Sequence, residues 1–377
     1  MTVTENATPA YPPGELPAMD VAGRLDRLRG ALGGAGVDGL VVSDLTNVRY
    51  LTGFTGSAGM LLVDAHRTVF VTDGRYTTQS AQQLGDAGVQ AEIEISAEGP
   101  EVAVAAAAAG LGRLGLEADS VSWGSQLRWA GELFEGELVP TTGVVEELRL
   151  VKDAGEAARI RSACALADAA LEEVRGRLAD GPTEREFARE LEAAMMRRGA
   201  DDLSFDTIVA SGPNGARPHH HPSDRRVAEG DLVVLDFGAL LDGYHSDMTR
   251  AVAVGDVGPD RRRMLRVVAE AQAAGVEAVR AGVEAAEVDR ACRELIAEAG
   301  WGEAFLHGTG HGVGLDIHEA PRVSNRSTAT LGAGHVVTVE PGVYLPELGG
   351  VRIEDTVLVT DSGCDRLTLA PKEPQLG

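Results

Sequence analysis

The chain has 377 residues, two to three times the usual domain size, with 44% hydrophobic and 24% charged residues; this fits a two-domain globular protein and excludes a disordered chain or a single small binding module. Thirty-four basic against 58 acidic residues give a net charge of −24, a field that repels phosphate backbones and anionic lipid, so neither nucleic acid nor membrane is expected as a partner. Cys164, Cys292 and Cys364 are odd in number and far apart, which predicts free thiols in a reducing, cytoplasmic compartment.

Residues 1–17 carry neither a basic n-region nor an apolar h-region and read as a flexible tail. Apolar residues Val21, Leu25, Leu28 and Leu32 recur at helical spacing, and a short buried strand follows in GLVVSDL. Strands are predicted at 59–64 and 68–73, a helix over 76–84, an Ala-rich helix near 101–109, a strand at 114–117 and a helix near 126–133. This alternation predicts an α/β domain over 18–145. The second domain, 146–377, opens with helices predicted over 153–178 and 183–198, the latter with Thr183 and Glu186 in capping-box spacing. Strand-rich 203–254, helical 260–300 and strand-rich 303–370 then suggest an α+β domain made of two similar halves.

Chemistry concentrates in that second domain. LVVLDFGALLDGYHSDMTRAVAV (232–254) is two β-rich runs around Asp242-Gly243, a strong two-residue hairpin signal. Leu241 then faces Tyr244, Asp236 faces Thr249 and Gly238 faces Asp247. Asp236 and Asp247 become diagonal neighbours on one face, within about 7–8 Å. A lone strand Asp ordinarily faces solvent, but Val233, Val234, Leu235 and Phe237 make this strand apolar on both sides, and buried carboxylates need partners. Two so close repel unless one is protonated or a cation joins them.

FLHGTGHGVGLDIHEAP (305–321) sets His307, His311 and His318 within twelve positions among glycines, where backbone can approach a ligand. The triplet His219-His220-His221 is open between a solvated loop and a site. HVVTVEPGVYL (335–345) ends its β-branched run in Glu340, and GVRIEDTVLV (350–359) carries Arg352 and Glu354 on one face. Asp236, Asp247, Glu340 and Glu354 with one of these histidines form a hard-oxygen set with one imidazole, suited to Mn²⁺, Co²⁺, Fe²⁺ or Zn²⁺ in pairs.

LDFGALLDGYHSDMTR, HGTGHGVGLDIHE, VVTVEPGVY and GVRIEDTVLV, with YLTGFTGSAG and TDGRY nearer the start, resemble the metallopeptidases of the pita-bread fold, in particular the Xaa-Pro aminopeptidases and Xaa-Pro dipeptidases (prolidases). The resemblance covers about residues 20–370. It implies an α+β pita-bread (creatinase/aminopeptidase) catalytic domain preceded by a smaller creatinase-type α/β domain. It also implies two divalent metal ions, Mn²⁺ foremost with Co²⁺ or Zn²⁺ as alternatives, and small peptide substrates with proline second. Asp236 would chelate one metal, His311 with Glu340 the other, and Asp247 and Glu354 would bridge them. Glu340 would also shuttle protons, His219, His307 and His318 would lie near the substrate, and Arg352 would orient a ligand carboxylate or steady the transition state. His220 and His221 stay loop residues in this reading, and a homodimer or homotetramer is expected. A creatinase-like C–N hydrolase that does not use the metals, or a catalytically dead peptide-binding member of the fold, is disfavoured because all five ligand positions are intact. No GxSxG elbow supports a serine hydrolase.

Overall fold

The computed structural model describes residues 16–372. Most of the expected tail, residues 1–15, lies outside the described residues, while the Pro17 carbonyl accepts a hydrogen bond from Arg159 at 2.9 Å. The chain divides into two compact units, one of Met19–Arg149 and one of Leu150 onward with the residues before Met19.

The first unit runs α1 (Arg24–Ala35), β1 (Gly39–Val42), α2 (Leu45–Thr52), β2 (Met60–Asp64), β3 (Thr68–Thr72), α3 (Thr77–Asp86), β4 (Glu92–Ile95), α4 (Pro100–Ala107), β5 (Arg113–Glu117), α5 (Trp123–Arg128), β6 (Glu137–Thr141) and α6 (Glu146–Arg149). Its strands form one mixed sheet in the order β4-β3-β2-β1-β5-β6. Val41, Leu62, Val71, Leu114 and Leu116 pack beneath Ala103 and Val104 of α4. Three elements depart from the sequence expectation. α2 is short and rich in β-branched residues, and it forms because the Asp44 side chain accepts the N–H groups of Thr46 and Asn47. β4 is exposed at every residue, so it shows no burial pattern to read, and β6 is half-exposed at the opposite edge.

The second unit opens with α7 (Ala154–Val174) and α8 (Glu184–Arg197), each with a complete capping box, from Asp153 with Glu156 and from Thr183 with Glu186. The first helix stops short of its expected end and tightens into a 3-10 turn over Arg175–Asp180. β7 (Asp202–Leu203), β8 (Ile208–Ser211), β9 (Leu232–Phe237), β10 (Ala239–Leu241), β11 (Tyr244–His245) and β12 (Met248–Ala253) follow. Then come α9 (Gly258–Ala278), α10 (Ala285–Glu298), β13 (Gly310–Gly312), β14 (Glu319–Val323), β15 (Val336–Val339), β16 (Gly342–Leu345), β17 (Gly349–Arg352), β18 (Asp355–Val359) and β19 (Cys364–Arg366). Leu171, Phe187 and Leu191 of α7 and α8 pack on Val209, Val233 and Leu235 of the β8-β9-β12 sheet. Val268, Val288 and Ile296 of α9 and α10 pack on Val337, Val339 and Val357 of the β14-β13-β15-β18-β19 sheet. Each half is thus a helix pair over a sheet, the α+β arrangement expected.

The C-terminal segment is clasped onto this unit. Asp168 on α7 accepts the N–H groups of Leu369 and Ala370 at 2.7 and 2.8 Å. Arg250, almost fully buried, donates to the Ala370 carbonyl, to the Glu354 carbonyl and to Asp355, which Lys372 also reaches. A buried guanidinium needs such a complete set of acceptors.

Gly275 on α9 sits where a Cβ would meet Cys292 of α10 and Val339 of β15. Gly275→Val is expected to cost about 1–3 kcal/mol through overpacking. Urea denaturation of both proteins checks this, and an unchanged midpoint would contradict the close helix approach.

Candidate metal centre

The Asp242-Gly243 turn forms as the sequence predicts, with Asp242 at φ 46° and Gly243 at φ 78°, the left-handed pair that a type I′ turn requires. Leu241 pairs with Tyr244 and Asp236 with Thr249. The ladder is interrupted where Gly238 would face Asp247: β9 and β10 belong to different sheets, and the chain passes so close to the Ser246 carbonyl that only glycine fits at 238. That break leaves Asp247 outside the pairing, just ahead of β12, and buried.

β13 supplies His311 from the other half. Its neighbours must be glycine, since a Cβ at Gly310 would meet the Thr338 carbonyl and one at Gly312 the Ala320 carbonyl. His311 Nδ1 donates to the Gly312 carbonyl at 2.9 Å, which leaves Nε2 facing the cluster, 3.4 Å from Asp247 Oδ2 and 3.5 Å from Glu340 Oε1, a donor when protonated and an acceptor when neutral. Glu340 follows β15 and Glu354 lies between β17 and β18. Asp247, His311 and Glu354 offer donor atoms that all lie within 4.8 Å of one another.

Four carboxylates and one imidazole so placed are electrostatically unfinished. Burial, with repulsion from Asp236, pushes Asp247 up to about 6 against the pull of His311. Burial likewise raises Glu340 to about 7, with Asp247 and Asp236 adding to it, and holds Glu354 well above the usual carboxylate range beside Asp247 and Glu340. Burial opposes protonation of His311, yet its hydrogen bond to Asp247 and the charges of Glu340 and Asp247 raise it to about 9. Protons here hold the place of cations. Asp236 Oδ1 and Glu354 Oε1 are buried without a hydrogen-bond donor among the described residues. Orphaned buried carboxylate oxygens beside an acceptor imidazole fit divalent ions.

A cavity of about 480 Å³ opens onto the cluster and is lined by all nine residues singled out in the sequence: His219, Asp236, Asp247, His307, His311, His318, Glu340, Arg352 and Glu354. Arg352 is buried and donates to Asp236 Oδ2 at 2.5 Å, the Thr249 hydroxyl at 3.1 Å, the Tyr344 hydroxyl at 2.7 Å and the Pro218 carbonyl at 3.4 Å. His307 Nδ1 lies 2.8 Å from the Gly308 carbonyl and Nε2 2.8 Å from the Tyr344 hydroxyl. Nδ1 therefore donates and Nε2 accepts. Burial and the Arg352 charge pull His307 down to about 4, so it is a neutral wall at pH 7. His318 packs edge-on against His311 with ring centroids 4.4 Å apart, and both His318 and His219 are exposed.

Residues 158–361 match the metallopeptidase family M24, and residues 24–151 match the creatinase/prolidase N-terminal domain. The chain belongs to metallopeptidase family M24. Among curated relatives, this M24 peptidase is 37% identical to the Xaa-Pro dipeptidase of Pyrococcus horikoshii over 89% of this chain and 94% of that one. Among solved structures it is similar to an Xaa-Pro dipeptidase from Bacillus anthracis, with a TM-score of 0.91, 41% identity and coverage of 94% of this chain and 100% of that one. An X-Pro aminopeptidase from Thermotoga maritima gives a TM-score of 0.84 and 33% identity over 94% of this chain and 100% of that one. The fold is thus the pita-bread catalytic domain behind a creatinase-type N-terminal domain.

Sequence reading passed over several residues of this M24 site. His220 is the buried member of its triplet, bonded to Glu184 at 2.8 Å; no local pattern marks that contact, since 36 residues separate the partners. Thr249 donates to Glu354 at 2.7 Å, and the hairpin register opposite Asp236 was its only signal. Arg322 lines the same cavity, exposed.

The raised Glu340 makes a stability prediction. A carboxyl raised from 4.5 to about 7 in the folded chain adds stability below pH 4.5 that is lost as pH climbs through 7. In chelator-treated protein, wild type should therefore lose on the order of 1–3 kcal/mol relative to Glu340→Gln between about pH 5 and 8. Denaturant titrations at several pH values check the slope, and a pH-independent difference would refute the uncompensated cluster.

Proposed function

We propose that this M24 peptidase hydrolyses the Xaa-Pro bond at the N-terminus of short peptides or in dipeptides, with two divalent ions. The observation that carries the reading is the buried Asp236, Asp247, His311, Glu340 and Glu354 cluster with two oxygens lacking donors, open to a histidine-walled cavity. Asp236 would serve one ion, His311 and Glu340 the other, and Asp247 and Glu354 both; four carboxylates balance two divalent charges. Hard oxygen donors favour Mn²⁺, with Co²⁺ or Zn²⁺ also accommodated. When bound, such ions acidify a water and polarise the scissile carbonyl.

Glu340 is the carboxylate of the cluster best placed to exchange a proton, its side chain being 18% exposed against 13% for Asp236 and 7% for Asp247. It takes a proton from the attacking water and returns it toward the leaving ring nitrogen of proline. His307, fixed and neutral, and His219 and His318 form the wall against the proline ring. Arg352 holds Asp236 in place, and Arg322 at the cavity offers a cation to a substrate carboxylate. The dipeptidases and the aminopeptidase similar to this chain act on Xaa-Pro bonds by name, which supports proline specificity. Proline's missing N–H and fixed φ penalise it in sites that bind peptides as strands, so a dedicated pocket is the natural solution.

Dialysed protein is expected to be inactive and to regain activity with Mn²⁺, and Asp247→Ala to remain inactive while still folded. Glu340→Gln should lower kcat by roughly 10²–10⁴-fold. Ala-Pro-Ala should be cut at least roughly tenfold faster than Ala-Ala-Ala, about 1.4 kcal/mol of discrimination. Assays of Ala-Pro, Ala-Pro-Ala, Ala-Ala-Ala and creatine with each metal check all three points. Equal kcat/KM for the two tripeptides would remove the proline assignment.

A further inference from the structure

Two buried carboxylates lie behind the cavity, one on the second helix of each half, and neither lines the cavity. Glu184 is the first residue of α8, where the helix N-terminus favours an anion. Its Oε1 accepts from the Ser211 N–H and hydroxyl, both at 2.7 Å, and from Asn214 at 3.0 Å. Its Oε2 accepts from His220 Nε2 at 2.8 Å and from the Ser223 N–H and hydroxyl at 3.0 and 2.6 Å. Burial acts to raise its pKa, but the donors from Ser223, Asn214, Ser211 and His220 outweigh it and hold Glu184 down to about 2. Its partners are the loop from Ser211 to Ser223, which carries His219, His220 and His221 into the cavity wall.

Asp289 on α10 is fully buried in the other half. It accepts the Thr309 N–H at 3.1 Å and hydroxyl at 2.9 Å, and takes Arg293 in a two-point pair at 2.8 and 2.9 Å. Arg293 in turn donates to the Phe305 and His307 carbonyls and lies 4.1 Å over the Phe305 ring. The segment so fixed leads directly into His311, and the Thr309 carbonyl accepts the Glu340 N–H at 2.7 Å. One carboxylate therefore grips a loop that carries no residue of the metal cluster, and the other grips a segment bonded to two of them.

We infer that Glu184 and Asp289 are positioning residues with divided tasks, Glu184 holding the loop of His219, His220 and His221 that meets the peptide and Asp289 holding, besides the His307 carbonyl through Arg293, the His311 and Glu340 backbone that meets the metal. The substrate half of this inference rests on the peptidase reading above; the metal half does not. Partners behind a ligand typically change metal affinity or activity by roughly 10–100-fold when removed. The division of tasks predicts that the two losses fall on different measurements.

The test uses the full-length Mn²⁺-loaded protein. Glu184→Gln keeps size but supplies one acceptor oxygen in place of two. It is expected to raise KM for Ala-Pro roughly tenfold while the Mn²⁺ dissociation constant stays within about twofold, and to speed amide hydrogen exchange over 211–223. Asp289→Asn is expected to weaken Mn²⁺ roughly tenfold in chelator competition, a readout that needs no substrate. Should either variant fail to fold, Ser223→Ala and Thr309→Val each remove donors from one anchor and are expected to give the same split at smaller size. Wild type that leaves Ala-Pro uncut would overturn the peptidase reading alone, since hydrogen exchange and metal competition still report on both anchors. Metal loss as large in Glu184→Gln as in Asp289→Asn, or unchanged exchange and affinity in both, would overturn the divided anchors.

Discussion

Everything in the catalytic unit answers to the cost of burying four carboxylates around one cavity. Isolated, each such anion would be expelled or neutralised, because desolvation outweighs any packing gain. The protein meets part of that cost internally. Arg352 neutralises Asp236, Thr249 donates to Glu354, and protonated His311 donates from Nε2 toward Asp247 beside Glu340. What remains uncompensated, the two donorless oxygens and the elevated Asp247 and Glu340, marks where the protein depends on something it does not itself contain. A stable scaffold that carries a deliberate electrostatic deficit is a common signature of a functional site.

Backbone geometry is subordinate to that arrangement. Glycines at 310 and 312 let β13 lie against carbonyls of its neighbours and so bring His311 to the cluster. Interruption of the hairpin at Gly238 frees Asp247 from the ladder. Tyr344 joins His307 to Arg352, so a wall of the cavity and the clamp on Asp236 share one hydroxyl.

Legibility in the sequence followed the range of the interactions. The Asp242-Gly243 turn is local, and counting outward from it placed Asp236 opposite Thr249 as observed. The Thr183 capping box and the alternation of helix pairs with strands were equally visible, whereas the Asp153 box at the start of α7 was read only from the structure. Glu184 with His220 and Asp289 with Thr309 were not visible, since each pair closes over 20 to 36 residues and neither side chain breaks a hydrophobic pattern. α2 and β4 escaped for the converse reason: one depends on a single cap, and the other has no buried face.

The clasp by Arg250 and Asp168 carries a consequence for biosynthesis. The guanidinium that steadies the Glu354 backbone is itself completed by the Ala370 carbonyl, and Asp168 on the unit's first helix waits for the N–H groups of Leu369 and Ala370. On a translating ribosome the first half, through β12, emerges more than a hundred residues before those partners. Until residues 354 and 355 have followed, Arg250 lacks its carboxylate partner Asp355 and Glu354 is not yet beside Thr249, and the Ala370 carbonyl completes the guanidinium's acceptors only later. The four-carboxylate cluster is therefore completed only when the strands around Glu354 have joined the first half.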